Sequence, residues 1–201
     1  MTESTLRPRG GARLLARQAM KAQVSSMAFD LFIERGYEGT TVDGICAVAG
    51  ISRSTFFRYF SSKDDALLGD TSDAGQELVA ALKARPDSDS PWEALRRGMD
   101  PLVEHYAAEP DRALRLARLV STTPALNAWH HEKNAQWHEL LRPELCRRLG
   151  ADEGDAADPR AASLIGAALA CVDAAITAWV ASGESGQLGH MLDRAMSPLA
   201  Q

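Results

Sequence analysis

Apolar side chains recur along this chain at the spacing of an α-helix, almost without interruption. Val24, Met27, Ala28, Leu31 and Phe32 fall at i, i+3, i+4, i+7 and i+8, one stripe of a helix. No run alternates apolar and polar residues, so strands have no candidate segment. The pattern restricts the chain to an all-α fold. Glycine and proline then divide it. Gly36 ends the first helix as a C′ residue. Thr41 caps a second helix, which buries Val42, Ile45 and either Val48 or Ala49 before Gly50 stops it. Ser52 caps a third, with Phe56 and Phe60 on one face. Ser62, with Asp65 three residues on, opens a fourth that is expected to run to about Arg85. Ser90-Pro91-Trp92-Glu93 has the form of a capping box with proline at the first helical position. Pro110, Pro124 and Pro159 mark later starts, and Gly150 and Gly183 mark stops. About nine helices result, the last two near 159–182 and 186–198.

A length of 201 residues suits one large domain or two small ones. The charge is uneven. Residues 1–65 hold nine basic and seven acidic groups, whereas the remainder holds 13 and 20. A mildly basic head on an acidic body is compatible with a small nucleic-acid contact surface and argues against a general polyanion binder. Pro8, Gly10 and Gly11 mark residues 1–12 as a flexible basic arm, leaving 13–65 and 66–201 as the two folded parts. The basic N-terminus lacks the apolar core of a secretion signal. Cys46, Cys146 and Cys171 are odd in number and widely spaced, so neither a disulfide framework nor a zinc site has support. A cytoplasmic location is expected. The apolar stretch 159–183 contains Asp173 and much alanine, and reads as a buried helix rather than a membrane span. All four tryptophans, Trp92, Trp129, Trp137 and Trp179, lie in the second part.

The segment TTVDGICAVAGISRSTFFRYFSSKDD, residues 40–65, carries the chemistry. Two short helices joined at Ala49-Gly50-Ile51 have helix-turn-helix spacing. Such a motif sets its second helix in the DNA major groove. Phe56 and Phe60 anchor that helix, and the opposite face presents Arg53, Ser54, Thr55, Arg58 and Tyr59. Arginine bonds guanine in bidentate fashion, and serine or threonine reaches several base edges. Helix starts at Thr41 and at Ser62-Lys63 offer free N–H groups to phosphates.

Residues 16–65 resemble the DNA-binding domain of the TetR family of bacterial regulators. The resemblance lies in FIERGYEGTTVDGICAVAGISRSTFFRYFSSKDDALL: a glycine after the first helix, paired threonines, AGIS at the turn, TFFRYF, then serine-lysine-acid. It implies that Arg53, Ser54 and Thr55 read bases. It implies also that Thr40 and Thr41 meet a phosphate, that Ser52 caps and contacts backbone, and that Tyr59 and Lys63 grip phosphates. Phe57 stands where the family favours a backbone-touching tyrosine, so its contact is apolar. Gly44 replaces a usual polar residue, and Cys46 a usual alanine.

The same resemblance implies a homodimer whose C-terminal part binds a small effector. From Ile165, residues Leu169, Val172, Ile176 and Trp179 form a stripe amid alanines. That stripe belongs either in the core of one chain or against a symmetry mate, and the resemblance favours the last two helices as the dimer interface. Effector candidates are Trp92, His105, Tyr106, Trp129 and Trp137, with Asp173 as a polar anchor in an apolar helix. His130, His131 and His138 with Glu132 and Glu139 are too loosely spaced for a metal, so no metal and no cofactor are expected. The stretch around 114–137 resembles an actinobacterial regulator type, some of whose members sense acyl-CoA-like ligands. Arg115 and Arg118 either meet phosphates of such a ligand or face water. No nucleophile elbow, phosphate loop or zinc-protease signature is present, which argues against an enzyme. The expectation is a ligand-responsive repressor, dimeric on a near-palindromic double-stranded operator, with no membrane partner. The alternative is an effector-independent regulator or an activator.

Overall fold

The computed structural model describes residues 9–69, 71–155, 157–183 and 188–200. Among them there are helices and no strand, in two compact units divided after Asp70. The first unit holds α1 (Arg9–Gly39), α2 (Val42–Ala49), α3 (Arg53–Tyr59) and α4 (Lys63–Leu68). Residues 1–8 of the expected arm lie outside the described residues, and α1 is already helical at Arg9. It leaves helical geometry at Gly36, where φ is 71°, as the glycine signal predicted. The core of this unit joins Val24, Ala28, Leu31 and Phe32 to Ile45, Cys46, Phe56, Phe60, Ala66 and Leu67. Val48 is 50% exposed, so Ala49 rather than Val48 turns inward on α2. Val42, Ile45, Cys46 and Ala49 fall at i, i+3, i+4 and i+7, one face of the helix, and Val48 falls outside it.

The second unit holds α5 (Thr71–Lys83), α6 (Pro91–Gly98), α7 (Asp100–Ala108), α8 (Pro110–Thr122), α9 (Pro124–Leu149), α10 (Arg160–Ser182), α11 (Leu188–Met196) and a 3-10 turn, Ser197–Leu199. The count exceeds nine because two expected helices are broken. The fourth stops at Gly69, where φ is 77°, instead of running to Arg85. The segment after Ser90 breaks at Met99, because Pro101 has no N–H to continue the ladder. The Ser90–Glu93 capping box is present in both directions. Thr123 makes no cap bond.

Leu78, Leu82, Leu95, Trp137, Leu141, Leu145, Ile165, Val172, Trp179 and Leu192 form the core of this unit. Gly75 makes the α5–α9 crossing close, since a Cβ there would stand 2.7 Å from Leu140 Cδ1 and 2.9 Å from Trp137 Cδ1. Buried Arg148 donates to the carbonyls of Leu82, Arg85 and Pro86 at 2.9, 2.7 and 3.0 Å, closing the end of α5. Its Nε also meets buried Glu144 at 3.0 Å.

α10 is long and apolar enough to cross a membrane by composition. One of its sides is buried in the unit core. Ile165, Leu169, Val172 and Trp179 are 0%, 6%, 5% and 1% exposed there, and Ile176 is half-buried. This corrects their assignment to a dimer interface: the large side chains fill their own chain's core. The side left open carries Gly166, Ala170, Ala174, Thr177 and Ala178.

Candidate functional site

In the first unit the capping residues build the motif. Thr41 Oγ1 accepts from Gly44 N at 3.1 Å and starts α2. Gly50 ends it at φ 66°, a left-handed position that suits glycine, and Ile51 N donates to Cys46 O at 3.0 Å. Ser52 Oγ accepts from Thr55 N at 3.1 Å and starts α3. Ser62 Oγ accepts from Asp65 N at 3.1 Å and starts α4, while the Asp65 carboxylate accepts from Ser61 N at 2.7 Å rather than from Ser62. Phe56 and Phe60 are buried and pack against each other at 5.2 Å. The other face of α3 is open, with Arg53, Ser54, Phe57 and Arg58 exposed and Thr55 and Tyr59 half-buried. Ser52 and Thr55 share a hydroxyl bond of 3.0 Å. Arg58 and Arg17 stand over the Tyr59 ring at 5.2 and 5.9 Å. Burial lifts the Cys46 thiol above its ordinary pKa, in keeping with a packing role.

Two expected phosphate contacts are placed differently. Thr40 is 2% exposed, and its hydroxyl donates to Gly36 O at 2.9 Å and Leu31 O at 3.2 Å. It ties the break in α1 together, and its side chain has no surface to offer a phosphate. Lys63 donates to Tyr37 O at 2.7 Å and Thr40 O at 3.0 Å, with its ammonium 3.8 Å from the Tyr37 ring centroid. Both carbonyls lie just past the Gly36 break, and the ammonium serves them as a further donor. Neither signal is visible in local spacing, because both contacts join α1 to residues beyond it.

In the second unit, three of the expected effector residues gather with three that sequence reasoning did not select for this site. Asp173 on α10 meets His130 Nε2 at 2.7 Å and accepts from Asn134 Nδ2 at 3.1 Å. Lys133 Nζ lies 3.2 Å from His130 Nδ1 and 4.2 Å from the Trp137 ring. An ammonium only donates, so Nδ1 accepts and Nε2 carries the proton given to Asp173. Burial pulls the Lys133 amine down to about 8, against the nearby Asp173 charge. Burial raises the Asp173 pKa, but the hydrogen bonds from His130 and Asn134 and the Lys133 charge outweigh it, leaving a net decrease. Tyr106 packs edge-on to Trp179 at 5.7 Å, and burial pushes its phenol up to about 12. The buried Trp179 Nε1 has no hydrogen-bond partner.

The other candidates do not join this network. Trp92 is buried and donates to Met196 O at 3.2 Å, holding α11. His105 is exposed, Trp129 is half-buried on α9, and Arg115 and Arg118 face outward on α8. A groove of about 410 Å³ between α9 and α10 is lined by Asn134, His138, Gly166, Leu169 and Asp173, among others. A second, of about 370 Å³, runs past Trp92, Arg96 and Asp193.

The profile for bacterial regulatory proteins of the tetR family matches residues 26–68, and that of the MftR C-terminal domain matches residues 89–201. The chain belongs to the TetR family. TcmR, a transcriptional regulator of Streptomyces glaucescens, is 32% identical over 166 residues, covering 79% of this chain and 73% of TcmR. A Mycobacterium tuberculosis protein named as the mycofactocin biosynthesis transcriptional regulator MftR is 30% identical, covering 69% of this chain and 70% of its own. Thermus thermophilus FadR, a TetR-family repressor solved with lauroyl-CoA, is similar at TM-score 0.52 and 25% identity, covering 89% of this chain and 92% of FadR. As a TetR-family protein this chain is a helix-turn-helix transcription regulator, and α3 is its second motif helix.

Proposed function

We propose that this TetR-family regulator acts in the cytoplasm as a homodimeric repressor of a near-palindromic operator. A small hydrophobic or acyl-CoA-like effector, held by the C-terminal unit, releases it. The open face of α3 carries the reading: Arg53, Ser54 and Arg58 are exposed on a helix whose other side is fixed by Phe56 and Phe60. Thr41, Ser52 and Tyr59 flank that face as backbone contacts, and Phe57, 49% exposed, adds an apolar one. The open side of α10 supports pairing of two chains. Small residues let helices approach closely, and a twofold dimer calls for a two-half-site operator. The polar network around Asp173, with Tyr106 and Trp137 beside it, is the candidate effector anchor, and the acyl-CoA class comes from the FadR likeness. The effector acts only through different affinities for the DNA-bound and free states.

Selection of binding sites from random duplexes, followed by titration with lauroyl-CoA, tests this reading. An enriched near-palindrome released by the thioester is the expected result. Absence of enrichment by folded protein overturns it. The filled core around Trp137 and Trp179 favours, as a second reading, a regulator that needs no effector. Operator affinity unchanged by saturating acyl-CoA would select that one.

A further inference from the structure

Arg53 does not hang free on the open face of α3. Its Nη1 lies 2.6 Å from Oδ1 of Asp43, an acid in the first turn of α2, and both side chains are well exposed, at 59% and 70%. The guanidinium also stands 5.6 Å from the Phe57 ring centroid. A carboxylate beside the lead arginine of a helix that meets DNA opposes binding to any polyanion, so the pairing needs its own account. Using one nitrogen on Asp43 leaves Nε and Nη2 as a free edge. The aspartate and the ring both lie against the guanidinium and bias the orientation of that edge.

A guanine offers O6 and N7, an uncharged bidentate acceptor, to such an edge. A phosphate offers an anion, which Asp43 repels at close range. We propose that Asp43 is a specificity-determining positioning residue, which aims Arg53 at base edges and withholds it from phosphates of arbitrary sequence. The inference rests on Arg53 as a base-reading residue. It extends that reading by assigning discrimination to an acidic side chain that itself needs no contact with DNA.

The test uses the full chain, the selected operator and a shuffled duplex of equal length, over a range of salt. Asp43→Ala should tighten shuffled binding by about 3- to 10-fold, steepen its salt dependence by about one counterion, and change operator binding less than about twofold. Asp43→Asn, closer in shape, should move in the same direction, so a poorly folded alanine variant does not decide the matter. In an Arg53→Ala background the Asp43 substitution should leave shuffled binding unchanged. Three results overturn the proposal: equal tightening on both duplexes, equal tightening with and without Arg53, or no change on shuffled DNA. The cycle on shuffled DNA needs no operator, so a failed site selection and a failed role for Asp43 are distinguishable.

Discussion

The two units treat polar side chains in opposite ways. On α2 and α3 the polar groups cap helices or face outward, while Thr40 before α2 and Lys63 on α4 turn in. In the C-terminal unit the notable polar groups are drawn in, fully for Arg148 with Glu144 and halfway for Lys133, His130, Asn134 and Asp173 beside the α9–α10 groove. The first arrangement keeps chemistry available to a large external partner. The second makes ionisable groups part of the fold, or part of a site the fold encloses. Substitution should therefore register as lost stability in one unit and as lost binding in the other.

Arg148→Ala should show the contrast most strongly. It strips the Leu82, Arg85 and Pro86 carbonyls of their donor and removes one of the two guanidinium groups on buried Glu144, Arg147 remaining at 2.7 Å, at a cost of about 2–4 kcal/mol in urea unfolding. A loss under about 1 kcal/mol would mean that water reaches the pair freely.

Lys133 gives a pH signature. Its amine titrates at about 8 in the fold and near 10.4 in the unfolded chain. Between those values the unfolded state binds more protons, so this group's contribution to stability rises with pH. Lys133→Met should therefore stabilise more at pH 7 than above pH 10.5, by up to about 3 kcal/mol relative to wild type. An equal effect at both pH values would show that the amine is not desolvated.

In the first unit, Arg53→Ala should weaken operator binding by about 5- to 100-fold and relax preference at one base pair, with an unchanged melting temperature. An unchanged preferred site would remove Arg53 from base reading. Thr40→Val should do the reverse, costing about 1 kcal/mol of stability with no direct effect on DNA affinity. Weaker DNA binding at unchanged stability would restore the phosphate role that the structure denies it. Gly44→Ala is the smallest change. The new Cβ meets Thr41 Oγ1 at an ordinary 3.4 Å, so it should stabilise α2 by up to about 1 kcal/mol.

These outcomes follow what the sequence made legible. Helix-turn-helix spacing, the caps Thr41, Ser52 and Ser62, and the inward Phe56 and Phe60 are local features with local causes, and they were readable. The roles of Thr40 and Lys63 were not, because their partners Leu31, Gly36 and Tyr37 are set by how α1 breaks. Nor was the orientation of α10. A helix with large residues on one side and alanines on the other can bury either side, and only the packing of α8, α9 and α11 shows that the large side is internal. His130 and Lys133 are adjacent turns of one helix, but their partner Asp173 lies some forty residues on. The break at Gly69 is hidden in the sequence because the apolar period resumes beyond it.

All four tryptophans lie in the C-terminal unit, and none lies in the first. The molecule thus carries a built-in optical label on one half alone. Excitation of indole sees the surroundings of Trp92, Trp129, Trp137 and Trp179, and an event confined to the helix-turn-helix leaves that emission without a local source of change. Trp137, with an ammonium over its ring, is the most charge-sensitive of the four environments described. Occupancy of the C-terminal unit can thus be followed by indole emission with no dye attached, while nucleic-acid occupancy is read independently from a fluorophore on the duplex.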